Sequence, residues 1–177
     1  MQLDRTKFKR LVHYVIWKTG SYDWFGAVKL CKVLWFVDAR SYVLTGKPIT
    51  GETYVRGPHG PLPRDIEWAQ RELVSEGAIQ INKGKNRKSP THFIALTPAK
   101  SNWFSEPELQ SIDWWISEIA KNHSAQSISE ETHDYVWDIA KMGEVLPFYA
   151  YRVARIQEPS DSDMERMKAR AKELGLT

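Results

Sequence analysis

The sequence has one cysteine, Cys31, among its 177 residues. A lone cysteine excludes an internal disulfide and a cysteine-rich zinc site, and it suits a reducing compartment. Long apolar runs are missing too. The opening residues MQLDRTKFKR carry no apolar signal core, and no stretch approaches the roughly 20 apolar residues of a membrane span. The expectation is a soluble, cytoplasmic protein without a membrane partner. An excess of one charge is also lacking. Twenty-five lysines and arginines against 22 aspartates and glutamates leave a net charge of +3, which by itself implies no nucleic acid.

Signatures of catalysis are equally scarce. The five histidines (His13, His59, His92, His123 and His133) fall in no metal-binding spacing. GKPITG lacks the Lys-Ser/Thr ending of a phosphate loop, and neither a GxGxxG run nor a serine in a nucleophile elbow occurs. No convergent set of catalytic groups emerges. The chain therefore reads as a non-enzyme with no catalytic, cofactor-binding or metal-binding residues.

What is present is apolar mass and a concentrated run of backbone-shaping residues. At 42% hydrophobic and 12% aromatic, with eight tryptophans, the chain can bury a full core. Large rings belong in that core; any left exposed would mark a partner surface. Four of ten glycines and four of nine prolines fall in GKPITGETYVRGPHGPLP, from Gly46 to Pro63. Glycine reaches positive φ freely, and proline fixes φ and donates no hydrogen bond. The segment is neither a regular helix nor a central strand, and it is long for a connection. We read it as a shaped loop or short hairpin between two helices.

Helical periodicity predicts a first helix from about Asp4 to Lys18, with Lys7, Lys9 and Arg10 on a solvated face. A second, from about Gly26 to Leu44, is apolar on more than one side and hence central. Cys31 reads as a small core residue within it, and Asp38 with Arg40 as a pair near its end. A third helix, about Arg64 to Glu76, ends at Gly77. Ala78–Ile81 and Thr91–Leu96 then read as a hairpin whose turn holds Lys83, Lys85, Arg87 and Lys88. Ser105 and Glu108 stand as a capping box and open a fourth helix; Ser127 and Glu130 repeat the spacing before a fifth, stopped by Gly143. The fold class is thus α+β and mainly helical: five to six helices around a buried central one, with a small antiparallel hairpin. Residues 1–156 form the domain, and 157–177 a charged helical arm that docks, swaps into a homodimer or frays.

A helix followed by a basic hairpin is half of a winged helix, so a nucleic-acid-binding regulator is the rival reading. Against it, the second and third helices are too far apart for a helix-turn-helix. The third helix also carries Asp65, Glu67, Glu72 and Glu76, which would repel a duplex.

The run from Lys29 to Ile66, KLCKVLWFVDARSYVLTGKPITGETYVRGPHGPLPRDI, resembles the Panacea domain, the SocA-like antitoxin family. That family pattern is a helix of the type KLxKLLYFAD, then GxPITGxxYxxxxxGPxP, then another helix. Gly46, Pro48, Ile49, Thr50, Gly51, Tyr54, Gly60, Pro61 and Pro63 match in place. The similarity extends over roughly Phe8 to Ala150 and includes His133, Trp137 and Gly143. Asp38-Ala39-Arg40 and His59 depart from the commoner residues without breaking the glycine and proline frame. The resemblance implies an antitoxin that binds and neutralises a cognate toxin encoded beside it. It also implies possible delivery of that toxin to the ClpXP protease, as in one founding member. Arg56, His59, Gly60 and Pro61, with Lys83, Lys85, Arg87 and Lys88, are the candidate partner-binding residues. Gly46, Pro48, Thr50, Gly51, Tyr54 and Pro63 are the structural motif. The loop is either the contact surface itself or a brace for a surface made elsewhere.

Overall fold

A computed structural model describes residues 2–22, 24–84, 91–133, 135–149 and 151. Helix α1 (Arg5–Thr19) starts at Asp4, whose carboxylate accepts from the Lys7 N–H at 2.9 Å. Helix α2 (Ala27–Thr45) is the axis of the domain. Leu30, Val33, Leu34, Phe36 and Val37 are buried on successive sides of it, and α1, α4, α5 and the first hairpin pack around it. It ends at Gly46, whose φ of 77° lets its N–H turn back to Tyr42 O at 2.8 Å. Ring packing fixes the core: Phe36 stacks on Trp115 with centroids 4.4 Å apart, and Trp35 on Phe148 at 5.5 Å. Not every tryptophan is there. Trp24, Trp114, Trp103 and Trp17 are exposed.

The glycine–proline run is a hairpin. Strands β1 (Tyr54–Gly57) and β2 (Gly60–Pro63) pair antiparallel, with Tyr54 opposite Pro63 and Gly57 opposite Gly60, around the two-residue turn Pro58-His59. Pro61 and Pro63 deprive β2 of donors and close that edge to further pairing. The other edge takes an isolated antiparallel bridge, Val55 opposite Val145. Arg56 N–H donates to Glu144 O at 2.8 Å, and Leu146 N–H to Tyr54 O at 2.8 Å.

Helix α3 (Ile66–Ser75) leads into β3 (Ile79–Asn82), which pairs antiparallel with β4 (His92–Ala95). Helix α4 (Glu106–Asn122) opens on the predicted capping box of Ser105 and Glu108. The fold is α+β and mainly helical, with two small antiparallel sheets among the described residues.

Three local expectations need correction. The cap in the fifth helical region lies earlier than Ser127. Ser124 accepts from the Ser127 N–H at 3.0 Å, and Ser127 Oγ accepts from the Ser124 N–H at 2.9 Å. This reciprocal pair starts α5 (Ala125–Glu131), and α6 (Tyr135–Ile139) is separate. The basic residues of α1 are not merely solvated. Lys7 pairs with Glu108 at 2.7 Å, Arg10 with Glu76 at 3.3 Å, and Lys9 with Glu76 and Glu72. Asp38 does not pair with Arg40, because α2 turns Asp38 inward and leaves Arg40 exposed. The proposed arm at 157–177 and its boundary at 156 lie outside the described residues.

Candidate functional site

Asp38 explains why the signature needs its particular residues. It is fully buried, and its carboxylate accepts from the Thr50 N–H at 2.8 Å, the Thr50 hydroxyl at 2.5 Å and the Tyr54 hydroxyl at 3.0 Å. Three donors on one charged acceptor clamp the hairpin's approach to the middle of α2. Burial still pushes the Asp38 carboxyl up to about 6, against the pull of those hydrogen bonds. Gly51 is needed one residue later. Its φ is +72°, and a Cβ there would lie 2.5 Å from the Gln2 carbonyl oxygen. The chain start is held to the same corner, since Asp4 N–H donates to Thr50 O at 2.9 Å. Pro48 is half-buried, and Pro63 is buried across from Tyr54.

A second polar seam sits under the hairpin turn. Lys32 is 1% exposed. Its amine donates to His59 O and to Thr132 Oγ1, the latter at 2.6 Å, so one side chain joins α2, the turn and the end of α5. Burial pushes the Lys32 amine down to about 7. Gly60 follows the turn with φ +104°, and an added Cβ would collide with Lys32 Nζ and Thr132 Oγ1. Glycine is required there by both conformation and space.

Beside this seam Arg56 lies over the Trp137 ring, 4.1 Å from its centroid, and Nη1 donates to Ala140 O at 2.5 Å. On Trp137 stacks His133, centroids 3.6 Å apart. Desolvation lowers the His133 pKa, and the nearby charges of Lys32, His59 and Arg56 push the same way. His133 and Trp137 were matched to the family from sequence; their stacking with Arg56 is a tertiary fact.

Two adjoining concavities flank the turn. One, of about 190 Å³, lies between α2 (Ala27, Val28, Cys31) and the Gly57–Leu62 hairpin. The other, of about 920 Å³, runs from His59 past the start of α2 to α5 and His133, with Trp24 on its rim. Cys31 is half-buried on the first, and burial pushes its thiol up to about 12. At neutral pH it is therefore a protonated apolar group.

The candidate partner-binding residues divide accordingly. Arg56, His59, Gly60 and Pro61 come together on one hairpin. His59 is exposed, Arg56 half-buried, and Gly60 and Pro61 buried beneath them. Lys83 is exposed at the end of β3, in the other sheet. Lys85, Arg87 and Lys88 lie outside the described residues. Thr91, just before β4, reaches the larger groove, so the base of the second hairpin borders it. Sequence reasoning passed over Lys32, although a lysine inside a helix apolar on all sides is a signal in itself. No group of three or more metal-ligating side chains occurs among the described residues, and no described helix is long and apolar enough to cross a membrane.

A helical α+β domain that clamps a glycine–proline hairpin to its central helix through a buried aspartate is the class these features define. The sequence model of one family, described as antitoxin SocA-like, Panacea domain, matches residues 30–138, and the chain belongs to that family. The match begins at Leu30 in α2 and ends at Asp138 in α6, and so spans the Asp38 clamp, the Lys32 seam and the Arg56–Trp137–His133 stack. No curated protein and no solved structure matches the chain. Family membership supports an antitoxin role.

Proposed function

We propose that this domain neutralises a toxin protein by binding it directly, with the Pro58–His59 turn and the grooves beside it as the contact surface. The observation that carries the reading is the family match together with where its signature lies. The matched glycines and prolines flank an exposed histidine that lines both concavities, with a half-buried arginine in the neighbouring strand. Trp24, 75% exposed on the rim, adds a side chain of the kind that dominates binding energy at protein interfaces. Neutralisation is steric: the bound domain covers the toxin's working surface. The two sequence-level roles of the loop combine here, because Asp38 and Lys32 brace the hairpin from below while its turn faces outward.

The winged-helix alternative has less support. Three of the four acids in and beside α3 are engaged, Glu72 and Glu76 with Lys9 and Asp65 with Arg5, which makes that helix a partner of α1. The hairpin also stands between α2 and α3.

The test is co-expression with the products of the adjacent genes. A toxic neighbour should lose its toxicity and co-purify with this chain; failure of rescue with every neighbour tested refutes the reading. The toxin's lifetime with and without ClpXP then separates simple masking from delivery to the protease.

A further inference from the structure

Cations are treated differently on two sides of this molecule. On α1, Arg5, Lys7, Lys9, Arg10 and Lys18 each have a carboxylate partner, from Asp65, Glu108, Glu72 with Glu76, Glu76, and Asp113. Around the hairpin turn they have none among the described residues. Lys29 turns its amine to Ala120 O at 3.5 Å, Lys32 to His59 O and Thr132 Oγ1, and Arg56 to Ala140 O. No ion pair joins any of the three to a carboxylate among the described residues. Two histidines, His59 and His133, lie in the same neighbourhood, with Asp138 as the acid opposing them. Glu130 on the far groove wall accepts from Gln126 at 2.9 Å and keeps its own negative charge, so the positive end of the groove is the hairpin side. Carbonyls and a hydroxyl satisfy the hydrogen bonds of these groups without neutralising charge: the Arg56 guanidinium keeps no carboxylate partner at the turn, while Lys32, its amine pushed down to about 7, is only partly charged.

The shape adds a second requirement. The two concavities share Ala27, Val28 and His59, and so form one continuous surface. At about 190 Å³ the smaller one falls below the size of typical small-molecule sites and suits one bulky side chain. Its wall is mostly apolar, from Val28, Cys31, Pro58, Pro61 and Leu62, with the engaged Lys32 and the exposed His59 as its polar side chains. A phosphate backbone would leave such a wall unfilled. An acidic protein segment with an apolar anchor satisfies both features.

We propose that the groove receives an acidic segment of the toxin, with one bulky apolar side chain seated between α2 and the 57–62 hairpin and carboxylates facing Arg56 and His59. This rests on the antitoxin reading above and adds the chemistry of the partner. Trp24 closes over the segment from the rim. The Arg56 guanidinium acts on it through its field, which sets the orientation and rate of encounter more than the number of direct contacts.

The experiment uses the full chain and, as probe, the toxic product of the adjacent gene. Absence of binding by the unaltered chain to any neighbouring product overturns the antitoxin reading, and this proposal with it. With binding established, His59→Glu leaves the backbone acceptor of Lys32 in place and should weaken association at least about fivefold, with a flatter dependence on salt. Ala27→Trp blocks the mouth of the pocket and should abolish binding, and Trp24→Ala should weaken it. Arg71→Glu reverses a charge on the exposed side of α3 and should leave affinity unchanged. Near-UV circular dichroism and thermal melting verify folding of each variant. Undiminished binding by folded His59→Glu and Trp24→Ala, or equal weakening by Arg71→Glu, overturns the proposal while leaving the antitoxin reading intact.

Discussion

Replacing Glu52 with glutamine should remove a large part of the pH dependence of stability. Glu52 is 2% exposed. Its Oε1 accepts from the Thr53 N–H at 2.6 Å, and its Oε2 has no hydrogen-bond partner among the described residues. Burial pushes its carboxyl from the ordinary 4.5 up to about 7, with the neighbouring Asp65 carboxylate adding to the rise. Each unit corresponds to about 1.4 kcal/mol, so the proton is favoured in the folded chain by about 3 kcal/mol. The folded value lies above the unfolded one. The folded chain therefore holds more protons between the two values, and stability falls as pH rises across that window. The contribution is fully present below about pH 4.5 and is lost as pH climbs through about 7. Glutamine keeps the shape and cannot ionise. Urea unfolding of both proteins at about pH 5 and about pH 8.5 should show the glutamine variant gaining about 2–3 kcal/mol on the parent at the higher pH. Lys32 and Asp38 titrate too, in opposite directions, but they are common to both chains and cancel in the difference. An identical pH slope in the two proteins would refute the reasoning.

Two further perturbations probe the hairpin. Tyr54→Phe removes one of the three donors on the buried Asp38 carboxylate and should cost about 1–3 kcal/mol by denaturant titration, without opening a cavity. Gly60→Ala should lower the melting temperature and toxin binding together, because a Cβ displaces the amine that joins the turn to α5. A fully stable Gly60→Ala that loses only the partner would show that the turn is contact surface alone, not brace.

Much of the architecture was legible in the chain. The apolar stripe of α1, the all-round apolar α2 and the Ser105–Glu108 box are local patterns, each set by residues within a turn or two of one another. The clustered glycines and prolines likewise announced a shaped loop or short hairpin, since their backbone restrictions act residue by residue; the strand pairing that made it a hairpin came from the structure. The errors share another cause. Ser124 and Ser127 offer the same capping spacing as Ser127 and Glu130, and local chemistry does not rank them. Asp38 beside Arg40 looked like a pair in sequence. Helix geometry instead sends two residues two positions apart to different sides, and the inward one met Thr50 and Tyr54. The cations of α1 found acids 60 or more residues away, at the ends of α3 and on α4.

The chain alone determined its helices, its β3–β4 hairpin, its single-cysteine chemistry and, through the glycine–proline frame, its family. Backbone conformation and hydrophobic periodicity are properties of neighbouring residues, so they can be read in order. Tertiary structure alone decided which charges are neutralised and which are left to act outward. It paired the cations of α1 with carboxylates and gave those around the His59 turn only carbonyls, a hydroxyl and a ring. Electrostatic and packing partners are chosen by distance in space, and sequence separation carries no information about that distance.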